Sequence, residues 1–175
     1  APDCIACQRY FNLEKFMHEL AFHVKEHLIS KYFHSPLSGK DEAMLTADYE
    51  HLARTLSSQT MVFVHRDYQS SNLLVHNGSL TITDFQDARM GLPFYDLVSL
   101  LEDSYVTLSE GQKDTLIQYY RSRTDGSVIP ESSLSQFQQI YDWTVIQRKL
   151  HDAGAFAFCY QNIGNRKYLP YISIA

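Results

Sequence analysis

Two aspartates and an asparagine, Asp67, Asn72 and Asp84, stand around a short pair of apolar runs, Leu73-Leu74-Val75 and Leu80-Thr81-Ile82-Thr83. The Asn77-Gly78 pair between the runs is the strongest short-range signal for a tight β-hairpin. With those two residues at the turn, His76 faces Ser79, Val75 faces Leu80, Leu73 faces Ile82 and Asn72 faces Thr83. Asn72 and Asp84 then emerge side by side at the open end of the hairpin. An amide oxygen beside a carboxylate, with Asp67 five residues upstream, supplies hard oxygen ligands of the kind Mg²⁺ takes when it also holds phosphate. Asp67 is then left to orient a hydroxyl. Phosphoryl transfer asks the protein for little more than metal charge on the phosphates and a carboxylate that accepts the nucleophile's proton.

The elements that must position these groups follow from periodicity. Asn12 can cap a helix whose apolar residues Leu13, Phe16, Met17, Leu20, Val24 and Leu28 recur at three- and four-residue steps to about Phe33. The segment from His34 to Gly39 breaks that pattern, and a second helix is expected from Asp41 with Leu45, Tyr49, Leu52, Ala53 and Leu56 on one face. Met61 to Val64 reads as a strand, and helical period returns after Pro93 with Phe94, Leu97, Val98, Leu101 and Tyr105. Leu116, Ile117 and Tyr120 continue it, then Phe137, Ile140, Tyr141, Val145, Ile146 and Leu150, with helix expected to near Leu169. The fold class is α+β and mostly helical, residues 1–175 forming a single domain whose small β insertion, 61–87, carries a long loop on each side.

The loop reads His65-Arg66-Asp67-Tyr68-Gln69-Ser70-Ser71-Asn72 and the hairpin exits into Asp84-Phe85-Gln86-Asp87. This resembles the H-R-D-x-x-x-x-N catalytic loop and the start of the D-F-G of the protein-kinase fold. Gln86 stands where protein kinases have Gly, and no A-P-E-like segment follows, which points to the small-molecule branch, the aminoglycoside phosphotransferase and choline kinase superfamily. Val64-His65-Arg66-Asp67-Tyr68, Ser71-Asn72-Leu73-Leu74, Thr83-Asp84-Phe85-Gln86-Asp87-Ala88 and Tyr95-Asp96-Leu97-Val98-Ser99-Leu100-Leu101 are similar to the bacterial N-acetylmuramate/N-acetylglucosamine anomeric kinases. Gln147-Arg148-Lys149-Leu150 followed by Gly154-Ala155-Phe156-Ala157 resembles their C-terminal helices.

The resemblance implies the helical C-terminal lobe of a protein-kinase-like fold, with ATP and Mg²⁺ as cofactors and a small-molecule hydroxyl, favouring an amino sugar, as acceptor. It makes Asp67 the catalytic base and gives Asn72 and Asp84 to the metal. Arg66 either braces the loop or meets phosphate. His65 is structural support, and Asp96 matches a buried aspartate that bonds the catalytic-loop backbone. Tyr68, Gln69, Gln86, Asp87 and Arg89 flank the same loops and are expected near substrate. An aminoglycoside or choline-type kinase, or a pseudokinase that binds without transfer, would keep much of this pattern. A complete kinase of this fold begins with a β-rich lobe bearing a phosphate-covering loop and a lysine for the phosphates. Residues before Met61 read as two helices and a loop, with Lys15, Lys25, Lys31 and Lys40 on them, so the 175-residue chain by itself is expected to be an inactive fragment that binds ATP weakly and turns over little or nothing.

Composition narrows the remaining classes. The 175 residues are 45% hydrophobic and 20% charged, as in folded globular proteins, and the formal net charge of −5 leaves no basic surplus for nucleic acid. The longest apolar runs are far shorter than the roughly 20 residues of a membrane span, so no membrane partner is expected and the cytoplasm is the expected compartment. Three cysteines argue against a disulfide scaffold. Cys4 and Cys7 read as ordinary thiols, since a structural zinc would need a second ligand pair. His23 and His27 read as surface or half-buried helix residues, and Glu102-Asp103 as a solvated acidic face. The pairs Tyr119-Tyr120, Tyr141/Trp143 and Phe156/Phe158 read as core aromatics, with a sugar pocket as the alternative.

Overall fold

The computed structural model describes residues 4–124 and 134–175. The chain divides into two compact units, one of residues 1–11 and 59–145, the other of 12–58 and 146–175. The helices are α1 (Leu13–Glu19), α2 (Gly39–Ser57), α3 (Tyr95–Leu101), α4 (Glu110–Arg123), α5 (Leu134–Ile163) and α6 (Leu169–Ile172), and α1 continues as a π-helical segment over Leu20–Tyr32. The strands are β1 (Val62–Val64), β2 (Leu73–His76), β3 (Ser79–Ile82) and β4 (Arg89–Gly91). No helix among the described residues is long and apolar enough to cross a membrane.

In the unit of residues 12–58 and 146–175, Asn12 caps α1 by accepting from the Lys15 amide. The second helix starts two residues before Asp41, because Ser38 takes the cap and accepts from the Asp41 amide. Phe16, Leu20, Val24, Leu28, Tyr49, Leu52, Ala53, Leu56 and Ala157 build the core. His27 is only 2% exposed, so the surface reading of this residue does not hold. Its ring pairs with Gln161 Oε1 at 3.1 Å and lies against Phe22 and Phe158, and Gln161 Nε2 donates to its carbonyl. A polar contact can be buried here because both partners are satisfied. The equally buried Glu19 accepts from Gln147 Nε2 at 2.7 Å and meets Lys15 at 3.1 Å.

In the unit that carries the loop, β1 pairs antiparallel with β4 in the register Val62↔Gly91, Phe63↔Met90, Val64↔Arg89. This second ladder was not legible in Arg89-Met90-Gly91, which is too short to show a period. Phe11 locks it from outside: its amide donates to the Met90 carbonyl, and its ring packs 4.6 Å from that of Tyr95. Gly91 is required there, since a Cβ would press on Val64 and Phe11. The hairpin has the register that its turn dictates, Leu73↔Ile82, Val75↔Leu80 and His76↔Ser79, with Asn77 and Gly78 both at positive φ. Pro93 is followed by α3, which ends at Leu101, before Tyr105.

The Glu102-Asp103 pair is not a solvated face. Asp103 is 7% exposed and accepts from the Ser70 and Tyr105 amides at 2.7 and 2.8 Å. Glu102 pairs with Lys113 at 2.8 Å and holds that ammonium above the ordinary lysine value. Among the aromatics, Tyr141 and Phe156 are buried, and the Tyr120 hydroxyl donates to the Pro93 carbonyl. Tyr119 is the exception, 60% exposed.

Gly154 of α5 faces the backbone of His23, where a Cβ would clash with the His23 carbonyl. At an open helical site Gly→Ala gains up to about 1 kcal/mol of propensity. At this site the expected sign is opposite: Gly154→Ala lowers stability by about 1–3 kcal/mol through overpacking. Urea unfolding checks this, and an unchanged or higher midpoint would contradict the contact.

Candidate active site

The entry of the loop after β1 is held by a carboxylate from α3. Asp96 Oδ2 accepts from the His65 amide at 2.7 Å and Asp96 Oδ1 from the Arg66 amide at 2.9 Å. The Arg66 carbonyl accepts from Ser99 Oγ, one turn further along α3. These bonds hold Arg66 at φ +80, a left-handed conformation that costs a non-glycine residue about 1–3 kcal/mol. The loop then turns back on itself, the Gln69 amide donating to the Asp67 carbonyl and the Asn72 amide to the Gln69 carbonyl.

The hairpin returns the chain to this loop. The Thr83 amide donates to the Asn72 carbonyl at 3.0 Å, and His65 Nε2 contacts the Thr83 carbonyl at 2.9 Å. Asn72 Nδ2 donates to the Asp67 carbonyl at 2.8 Å. That bond commits the nitrogen of the amide to the loop, so the amide oxygen is the atom of Asn72 that could act as a ligand. Asp84 follows at φ +67, its exposed carboxylate accepting from Gln86 Nε2 at 2.9 Å. Aspartate is among the residues that enter the left-handed region most readily.

Among the described residues no three His, Cys, Asp or Glu side chains gather as a ready metal cage. The oxygens that Asn72 and Asp84 could offer, one amide and one carboxylate, are of the hard kind that suits Mg²⁺, which keeps several waters and takes further ligands from substrate phosphates.

The other expected site residues fall into two groups. Tyr68 and Gln69 are partly exposed on the loop, with the Tyr68 ring 5.9 Å from that of His65, and Gln86 is exposed beside Asp84. Arg89, expected near substrate, is 7% exposed, because β4 turns it inward over the Phe11 ring at 5.1 Å. Its Nη2 lies 3.7 Å from Asp87 Oδ1, and its Nε donates to the Asp87 carbonyl. Asp87 also meets Arg66 Nη1 at 3.2 Å, while the same nitrogen lies 4.0 Å from Asp67 Oδ2. Arg66 therefore braces neighbouring carboxylates here. Asp103, which carries the far end of the loop, was missed in the sequence; its place just past an amphipathic helix two turns after Asp96 was the available signal.

An ethanolamine kinase of Plasmodium vivax has the same fold, with a TM-score of 0.59 at 16% identity over 93% of this chain and 46% of that one. The fold class is thus protein-kinase-like, mostly helical, with the hairpin carried as in a C-terminal lobe. Within that class the chain belongs to the phosphotransferase enzyme family (APH), whose model matches residues 15–130. It is 35% identical over 149 residues to the N-acetylmuramate/N-acetylglucosamine kinase of Neisseria meningitidis serogroup B, covering 84% of this chain and 44% of the relative. The protein of the same name from Pseudomonas aeruginosa is 33% identical over 119 residues, covering 67% of this chain and 35% of the relative. The chain spans less than half the length of these relatives.

Asp96→Ala removes the acceptor of two consecutive amides. The expected result is a loss of roughly 1–3 kcal/mol and faster hydrogen exchange at the His65 and Arg66 amides, read by mass spectrometry or NMR. Unchanged protection at both would mean that the loop is held by something else.

Proposed function

We propose that this chain carries the phosphoryl-transfer centre of an ATP-dependent kinase, and that the acceptor is the hydroxyl of an N-acetylated amino sugar of the N-acetylmuramate/N-acetylglucosamine type. The observation that carries the transfer reading is the joining of Asp67, Asn72 and the Thr83-Asp84 exit by direct hydrogen bonds at the open end of one hairpin. The names of the two bacterial relatives support the acceptor class. ATP as the donor supports the cytoplasm as the compartment of the reaction.

In this reading the Asp67 carboxylate takes the proton of the acceptor hydroxyl as its oxygen bonds to the γ-phosphorus. The bond to the bridging oxygen breaks and ADP leaves. Asn72 Oδ1 and the Asp84 carboxylate would hold Mg²⁺, which supplies charge neutralisation on the phosphates when bound. His65 and Asp96 keep the loop in place, and Tyr68 and Gln69, partly exposed, with Gln86, exposed, are the side chains that would touch acceptor. General-base catalysis is typically worth about 10²–10⁴-fold, and positioning of the two reactants supplies much of the rest.

The test is ADP release by the full-length protein with MgATP and a panel of N-acetylglucosamine, N-acetylmuramate, choline, ethanolamine and kanamycin. Turnover confined to the amino sugars supports the acceptor assignment, and turnover with another member keeps the chemistry and moves the substrate. Binding of MgATP without turnover on any acceptor would favour a binding module. Asp67→Ala is expected to cut kcat by about 10²–10⁴-fold with the Kd for MgATP little changed. Asp84→Ala is expected to weaken nucleotide binding in the presence of Mg²⁺ to the level seen with excess chelator; equal Mg²⁺ dependence in wild type and variant would remove Asp84 from the metal site.

A further inference from the structure

Cys4 stands just before one 3₁₀ turn, Ile5–Gln8, and Cys7 stands within it. The Cys7 amide donates to the Cys4 carbonyl at 3.0 Å. A bond across four residues brings the outer Cα atoms within about 7 Å, the limit that a disulfide can span. The two thiols already meet, the Cys7 side chain donating to the Cys4 sulfur, and both residues are half-buried, which leaves part of each open to a small reagent. From this geometry we propose that Cys4 and Cys7 are a redox-active pair, in which Cys4 attacks and Cys7 resolves, and that their co-reactant is a low-molecular-weight disulfide of the glutathione kind. Neither residue is then an ordinary thiol, and nothing in the assignment depends on phosphoryl transfer.

The turn is held in shape from its C-terminal side. The Arg9 amide donates to the Ala6 carbonyl at 3.3 Å, the Arg9 carbonyl accepts from the Met90 amide at 2.8 Å, and Arg9 Nη1 donates to the Gln86 carbonyl at 3.4 Å. The sulfurs are thus kept together before any oxidant arrives, which lowers the entropic cost of closing the ring. The two thiols are also made unlike. The amides of Cys7 and Ala6, and then the Cys7 thiol, hold the Cys4 thiol below the ordinary cysteine range, whereas burial and then the bond to Cys4 push the Cys7 thiol up. Attack requires a thiolate, and Cys4 is the sulfur on which it is favoured. Its sulfur bonds to one sulfur of the small disulfide, whose S–S bond breaks, and the released thiolate takes up the proton that Cys4 gave. Cys7 then loses its proton, bonds to the Cys4 sulfur and expels the second small thiolate, which is protonated in turn. Two protein thiols are oxidised and one small disulfide is reduced to two thiols. In a reducing compartment such a pair cycles between the two states and does not serve as a permanent staple.

Cys159 on α5, whose thiol burial pushes up, is the internal reference for a test on the full-length protein. The protein is reduced, freed of reductant and metal, and exposed at neutral pH either to limiting iodoacetamide or to glutathione disulfide, with each cysteine followed by peptide mass spectrometry. Cys4 is expected to alkylate roughly 3- to 10-fold faster than Cys159. Under glutathione disulfide the peptide holding Cys4 and Cys7 is expected to lose two hydrogens and carry no glutathione. Cys7→Ser should stop at the mixed disulfide of Cys4 with glutathione, and Cys4→Ser should leave Cys7 reacting more slowly than Cys4 does in wild type. The wild-type readings stand whether or not the variants fold. Equal alkylation of the three cysteines would overturn the proposal, as would a wild-type pair that stays reduced under glutathione disulfide or that keeps glutathione on Cys4 without closing. A disulfide joining two copies in place of the internal one would overturn it too. So would zinc released by the chelator in proportion to the protein as Cys4 and Cys7 become reactive, since that would make them metal ligands.

Discussion

The entry of the loop after β1 depends on one carboxylate. Asp96 uses both oxygens on the consecutive amides of His65 and Arg66, and only a charged, bidentate acceptor can hold two adjacent N–H groups while the second residue sits in the left-handed region. Asp96 is itself placed by burial of Tyr95, Val98 and Leu101 on the inner side of α3. Hydrophobic packing of one short helix is thus transmitted, through one side chain, to the backbone on which Asp67 rides. Asp103 repeats the device at the other end of the loop, where it accepts from Ser70. Carboxylates on and just beyond α3 thus fasten both ends of the loop.

The strain in this region has a pattern. Arg66 and Asp84, both at positive φ, lie at the entrance and the exit of the segment that contains the hairpin. Each is a non-glycine residue in a conformation that glycine would adopt more cheaply, and each carries a charged side chain. The cost of the backbone is offset by hydrogen bonds to neighbours, from Asp96 and Ser99 at one end and from the Gln86 side chain at the other. A glycine at either place would relieve the strain and lose the charge.

Much of this was readable from residue order. The Asn-Gly turn determined the pairing of β2 with β3 and therefore the proximity of Asn72 to the Thr83-Asp84 exit, since register in a two-residue hairpin has no freedom once the turn is placed. The long helical periods likewise gave α1, α2 and α5. What was not readable depends on contacts distant in sequence. β4 is three residues long and is a strand only because β1 lies beside it, and Arg89 is buried only because of that pairing and the Phe11 ring. Asp103 and His27 are polar residues on helical stretches that look solvated until their partners, Ser70 and Gln161, arrive from elsewhere in the chain. Composition and period carry no information about such partners.

The hairpin that bears the site has a second property. β2 and β3 form a sheet of their own, so among the described residues each keeps an outer edge without a strand beside it, and Leu74, Val75, Leu80 and Ile82 are exposed. Neither strand carries the lysine or proline with which natural edges commonly repel one another. An apolar ribbon edge of this kind is a surface along which a second strand can pair, so substitutions made on the outer face of the hairpin bear on association between copies as well as on the hairpin itself.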